Sequence, residues 1–187
     1  NFFFEAYKAA SNYAFANRLF IYRTIRKSLK KFCNYSFFEV FSDLPHDYIY
    51  REKETYFHNK GVIKMLKKNF CLKKKYRWIA TGSPYILPTY PGGDAFIFLP
   101  TENSKSQGLM SHGIGRALDK SAASKKFKKH DIGQKNKDFL LYRYNKDDLN
   151  SQSPKSFKNS NLILDSIKKN NLAKNICLLS SIGTLKA

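Results

Sequence analysis

The feature that most constrains the fold is a change of period along the chain. From Glu5 to Lys31, alanines and aromatics recur at helical spacing, with Ala6, Ala9, Ala10, Tyr13 and Phe20 set for one face. After that helix the pattern shortens. Apolar runs of strand length, at Phe37–Phe41, Tyr76–Thr81, Ala95–Leu99 and Ile176–Ile182, are separated by turn residues and lysine-rich stretches. A long helix, several short strands and a few shorter helices must be packed together, which predicts a mixed α/β architecture of the α+β kind.

Local signals refine this. Asp43-Leu44-Pro45 reads as a turn delivering His46 and Asp47, and Tyr48–Phe57 alternates charged and aromatic residues as a hairpin limb does. Lys64–Lys75 reads as a solvated lysine-rich stretch. The run Trp78–Gly93 is uncharged and carries Gly82, Pro84, Pro88 and Pro91. Polar residues at Thr101–Gln107 predict a flexible loop. A helix is expected to follow Gly108–Gly115 and to end at Phe127, with 128–137 a second flexible loop. Asn161 is the expected cap of a final helix reaching about Asn171. No internal repeat is present, and the whole of 1–187 is expected to belong to one domain.

Composition excludes several classes. Hydrophobic residues make up 42% of the 187 and aromatics 16%, too much apolar area for a chain that stays unfolded. No segment gives a continuous apolar span of membrane length. Cys33, Cys71 and Cys177 stand far apart with no CxxC pair, so they are read as reduced, buried thiols rather than as a disulfide framework or a zinc site. Reduced thiols give the cytosol or nucleus as the default compartment, with an organelle left open. Phe2–Phe4 is too short for a signal peptide core and meets Glu5 at once. The chain begins at Asn1, with a helix already in stride, as a fragment or processed product would.

Lys and Arg total 34 against 14 Asp and Glu, a formal charge of +20 that repels itself unless an anion neutralises part of it. Lysine outnumbers arginine 27 to 7 and asparagine reaches 15, a bias that an A-rich genome produces without selection for binding. Placement discriminates. Arg23, Arg26, Lys27 and Lys30 fall at i, i+3, i+4 and i+7, a basic stripe suited to RNA or DNA phosphate; an acidic membrane surface competes, weakened by the few apolar residues beside it.

Ser111-His112-Gly113-Ile114-Gly115-Arg116 is the segment most informative about chemistry. Glycines on both sides of Ile114 let the backbone approach an anion closely, and a following helix would offer unpaired N–H groups to phosphate. A phosphate there would face the imidazole of His112. If Arg116 opens that helix, Lys120 lies one turn on, and both cations share the side leading back to His112. A tight helix start with a capping histidine is the bland alternative.

These residues resemble the RtcB-type RNA ligases, whose Ser-His-Gly-Ala-Gly-Arg run carries a guanylylated histidine. Other segments match in chain order. Ala9 to Arg18 looks like the family's alanine-rich helix ending in Asn-Arg. His46-Asp47 and then His58-Asn59-Lys60-Gly61 resemble its His-Asn step and its His-Arg-Lys-Gly run. Gly82-Ser83 with Thr89-Tyr90 is similar to its Pro-Gly-Ser-Met-Gly loop and later Ser-Tyr. Ser153-Pro154-Lys155-Ser156-Phe157-Lys158 looks like Ala-Pro-x-x-Tyr-Lys, and Lys186-Ala187 stands where the family closes with Lys-Gly. The resemblance implies a partial RtcB-like layered fold, the C-terminal portion of one catalytic domain. It also implies GTP and Mn2+ as cofactors, and an RNA 3′-phosphate or 2′,3′-cyclic phosphate joined to a 5′-hydroxyl through a guanylyl-histidine, as in tRNA splicing or RNA repair.

On that resemblance His112 is the nucleophile and His46 a manganese ligand. Asp47, Thr81, Gly82, Ser83, Pro84, Thr89, Gly113, Ile114, Gly115 and Lys186 surround the guanylate, and Arg116 and Lys120 hold the RNA phosphate. His58 is left without a role. The departures are as specific. The family's other manganese ligands, an Asp, a Cys and two His, belong to an N-terminal half, so this chain alone is expected to be inactive without that half or a complementary chain. Asp47 replaces an asparagine, and Lys120 an arginine. The competing reading is a catalytically incomplete, basic RNA-binding module of a larger ribonucleoprotein.

Overall fold

A computed structural model describes residues 2–33, 39–74, 77–78, 80–102, 105–106, 108–127, 140–143 and 150–186. Helices and small sheets combine in a mixed α+β architecture. The chain divides into two compact units, Asn1–Lys60 and Gly61–Ala187.

The first unit joins one long helix to one hairpin. Helix α1 spans Phe2–Cys33, and strands β1 (Asp47–Glu52) and β2 (Thr55–Lys60) pair antiparallel from Asp47↔Lys60 to Glu52↔Thr55. The half-buried residues of α1 are Phe4, Tyr7, Ser11, Phe15, Arg18, Tyr22 and Leu29, spaced three or four apart to Tyr22 and then seven, as one stripe. Phe4 meets the edge of Tyr56, with centroids 5.1 Å apart, and the Tyr7 hydroxyl donates to the Asp47 carbonyl and accepts from the Ile49 amide. The expected core face is therefore corrected. Ala6, Ala9, Ala10, Tyr13 and Phe20 lie on the opposite side and are exposed, because the hairpin takes the aromatic stripe instead. Arg18 bonds Asp43 at 2.6 Å and stacks over Phe15, tying the helix to the segment before His46. The expected strand at Phe37–Phe41 is also corrected over its described part. Residues 39–41 are irregular and exposed, while 37 and 38 lie outside the described residues.

The second unit holds the buried core. Strands β3 (Val62–Lys64) and β6 (Leu109–Ser111) pair antiparallel, Val62↔Ser111 to Lys64↔Leu109. A short helix α2 (Lys68–Lys74) buries Cys71 where a solvated stretch is expected, with Met65 2% exposed beside it. Burial pushes the Cys71 thiol up from its ordinary pKa. Cys33 and Cys177 are exposed, which corrects the reading of all three cysteines as buried, and all three are free thiols.

Strands β4 (Tyr85–Pro88), β5 (Ala95–Pro100) and β8 (Ala173–Leu179) form an antiparallel sheet in the order β4-β5-β8. Tyr85 and Phe98 face each other across β4 and β5 and stack at 5.5 Å, both buried, with Leu87. The expected strand at Tyr76–Thr81 is absent from its described part: 77, 78, 80 and 81 are turn, and the Trp78 carbonyl accepts the Gly82 amide. The final helix, α4 (Ser160–Lys169), is capped by Asn159 rather than Asn161; the Asn159 side chain accepts the Asn161 amide. Strand β9 (Gly183–Lys186) runs parallel to β7 (Leu140–Arg143). The 128–137 loop falls outside the described residues, and of 101–107 the described residues 102, 105 and 106 are turn. Among the described residues no helix is long and apolar enough to cross a membrane.

Candidate active site

Local sequence places the His112 turn. Strand β6 ends at Ser111, Gly113 to Gly115 leave the strand, and Ile114 between them is 3% exposed, an apolar peg that fixes the turn to the core. Gly115 has φ +74, the left-handed region that glycine enters without a Cβ penalty. Extending the β3–β6 register by one residue sets Gly61 opposite His112. The His112 amide donates to the Gly61 carbonyl at 3.2 Å, and the ring Nδ1 lies 2.8 Å from the same oxygen.

That contact fixes the tautomer. A carbonyl oxygen only accepts, so Nδ1 carries the proton, and the lone pair of the neutral ring resides on Nε2. The imidazole is exposed. An oriented imidazole at the surface, with its acceptor nitrogen turned from the backbone that holds it, is what an attack on phosphorus requires.

The helix expected to begin at this turn starts later. Helix α3 spans Lys120–Lys126, and its cap is Asp119, whose carboxylate accepts the Ala122 amide. Residues 112–118 are irregular, with Arg116 in an isolated antiparallel bridge to Phe157. Two readings change. Among the described residues no helix N-terminus faces His112, and Arg116 and Lys120 do not share one helical turn. The reason is tertiary. Arg116 donates from Nε to the Leu118 carbonyl at 3.0 Å and from its terminal nitrogen to the Ser151 carbonyl, and its guanidinium lies 4.8 Å from the Phe157 centroid. The Ala117 and Leu118 amides both donate to the Ser156 carbonyl. These two amides, which the first turn of a helix opening at Arg116 would leave without an intrahelical partner, are satisfied by that carbonyl instead.

The other predicted residues divide. Gly113 lies near β4: a Cβ there would stand 3.6 Å from the Pro88 carbonyl oxygen. Thr89 follows, 8% exposed, its hydroxyl donating to the Asp94 carbonyl at 2.5 Å. Gly82, Ser83 and Pro84 are buried. Ser83 exchanges backbone bonds with Leu66 through its amide and hydroxyl, and a Cβ on Gly82 would come within 2.6 Å of Pro100. Thr81 is exposed and Lys120 is exposed. Lys186 lies in β9, in register with Arg143. His46 and Asp47 belong to the first unit, with Nδ1 and the carboxylate 3.4 Å apart. His58 is exposed on β2, opposite Ile49.

A divalent ion needs several protein ligands fixed together. Among the described residues no group of three or more His, Cys, Asp or Glu side chains could hold one. The His46–Asp47 pair does not make a manganese site by itself.

Lys158 is a residue that sequence reasoning passed over. It closes the matched Ser153–Lys158 segment, and its side chain lies against Gly115. Its position at the end of a matched motif was the available signal.

A family model described as "tRNA-splicing ligase RtcB" matches residues 1–187. Curated proteins of the same description are similar to this chain over 98% of its length: 25% identical in Pyrococcus horikoshii, 24% in Pyrococcus abyssi and 22% in Methanococcus maripaludis. The chain spans 23%, 22% and 42% of those relatives respectively.

Proposed function

Because the chain belongs to the RtcB family of tRNA-splicing ligases, we propose that it forms the nucleophile-bearing portion of a GTP- and manganese-dependent RNA ligase. Its substrates are an RNA 3′-phosphate, or a 2′,3′-cyclic phosphate opened to one, and a 5′-hydroxyl, as at the ends of cleaved tRNA. Nε2 of His112 attacks the α-phosphorus of GTP; a P–N bond forms as the P–O bond to pyrophosphate breaks. The RNA 3′-phosphate then takes the guanylyl group from the imidazole. Attack by the 5′-hydroxyl on the 3′ phosphorus forms the phosphodiester and releases GMP.

The observation that carries this reading is the 2.8 Å contact from His112 Nδ1 to the Gly61 carbonyl, which holds an exposed ring in the tautomer that attacks through Nε2. Thr81, Thr89 and the Gly113–Gly115 backbone lie on the guanylate side. Arg116 and Lys120 serve the RNA end, and Lys186 and Asp47 complete the nucleotide contacts. His46 is the one manganese ligand drawn from this chain, the others coming from outside it in cis or from a complementary chain.

The deciding experiment supplies the complete protein with manganese and labelled GTP. Acid-labile label is expected on the wild type and absent from His112→Ala. Equal labelling of the two would sink the mechanism. The formal charge of +20 favours a second reading, a basic RNA-binding piece of a larger ribonucleoprotein. It predicts RNA affinity with no label under the same conditions.

A further inference from the structure

Among the described residues no helix terminus supplies the charge that a phosphoryl group needs at the His112 turn. Helix α3 begins eight residues beyond His112, and the guanidinium of Arg116 spends two of its donors on the Leu118 and Ser151 carbonyls. Lys158 stands in the remaining position. Its amide donates to the Gly115 carbonyl at 3.1 Å, which fixes the root of the side chain beside the turn. The stem then runs along Gly115: Cδ, Cε and Nζ each lie 3.8 Å from where a Cβ on that glycine would stand. Phe157, one residue before, is held between the Arg116 guanidinium and the Tyr90 ring, 6.1 Å away between centroids. Lys158 is exposed and forms no ion pair among the described residues. A cation is thus anchored at its base, without an ion pair among the described residues, and laid over the glycine backbone three residues after the imidazole.

Resting on the ligase reading, the geometry points to Lys158 as a phosphate-binding residue of the His112 site, its ammonium taking the phosphate of the guanosine nucleotide. A lysine suits this work as a compact point charge with rotatable donors. A flexible stem pinned at its root lets the ammonium follow the phosphorus as bonds to it change. Glycine at 115 serves two needs, the positive φ and an open backbone on which the stem lies.

The test is a calorimetric titration of the full-length protein with GMP and, separately, with guanosine, in the presence of manganese. Lys158→Met is expected to weaken GMP by about fivefold or more, since a bond to a charged group is lost, and to leave guanosine unchanged. Lys158→Arg is expected to recover most of the GMP affinity. Lys169→Met, at the far end of α4, is expected to bind both as the wild type does. Equal weakening of GMP and guanosine would mark Lys158 as a structural prop and overturn the proposal, as would wild-type GMP affinity in Lys158→Met. In both cases the ligase reading survives through the His112 label. A wild type that binds no GMP and takes no label removes both.

Discussion

His112 and Gly61 are joined twice, backbone amide to carbonyl and ring Nδ1 to the same oxygen, across a strand pair whose members lie some fifty residues apart in sequence. One carbonyl thereby sets both where the imidazole stands and which nitrogen holds its proton. Gly61 has φ +66, so this carbonyl is aimed by a backbone conformation that other residues enter at a cost. Gly61→Ala is expected to lose about 1–2 kcal/mol of stability and to slow guanylyl transfer beyond what that loss explains. Labelling rates well below the folding transition, compared with the denaturation midpoint, separate the two effects.

Arg116 holds the turn from its other side. A lysine cannot reproduce the two-carbonyl fork or the stacking on Phe157. Arg116→Lys should therefore cost about 1.5–3 kcal/mol in denaturant unfolding, the worth of hydrogen bonds to a charged donor. A variant as stable as the wild type would show that the fork contributes little.

Tyr85 makes the opposite kind of prediction. Its ring is 1% exposed and stacked on Phe98, but its hydroxyl is buried without a hydrogen-bond partner among the described residues. Removing an unsatisfied group recovers its desolvation cost, so Tyr85→Phe is expected to gain about 1 kcal/mol and to melt at higher temperature. Burial also raises the phenol's pKa above its ordinary value. The unfolded chain then releases this proton at lower pH than the folded chain. Stability is fully present below the ordinary phenol range, about pH 10, and is lost as pH rises through it. Unfolding between pH 9 and 11 should show a steeper decline in the wild type than in Tyr85→Phe.

The second half of α1 carries Arg23, Arg26, Lys27 and Lys30, all exposed, and the helix holds no acidic residue after Glu5. If these four meet RNA phosphates, replacing them with alanine lowers the slope of log affinity against log salt by up to about 3, at roughly 0.7 per phosphate on a single strand. Fluorescence anisotropy over a salt series measures this. An unchanged slope would mean the stripe merely keeps the helix in water.

Much of the site was legible in the order of residues. The His112 run, its glycines, the helix from Glu5 and the segment ending at Lys158 are local patterns, and the spacing of α1 gave its extent to within a few residues. What the sequence could not decide was direction. Periodicity set Ala6, Ala9, Ala10, Tyr13 and Phe20 on the core face of α1, and only the hairpin's contacts with Phe4 and Tyr7 determined that the half-buried stripe is the other one, while Tyr13 and Phe20 face out. Gly-Ile-Gly before Arg116 reads equally as a helix start. The structure makes it a bridge to Phe157, because the Ser156 carbonyl takes the Ala117 and Leu118 amides that a first helical turn would have left unpaired. The tautomer of His112 and the path of Lys158 over Gly115 depend on partners 51 and 43 residues away, set by strand register and packing rather than by any neighbour in the chain. Residue identity and local spacing belong to the sequence. Which atoms meet across such separations is fixed only when the whole chain must pair its backbone and bury its apolar surface at once.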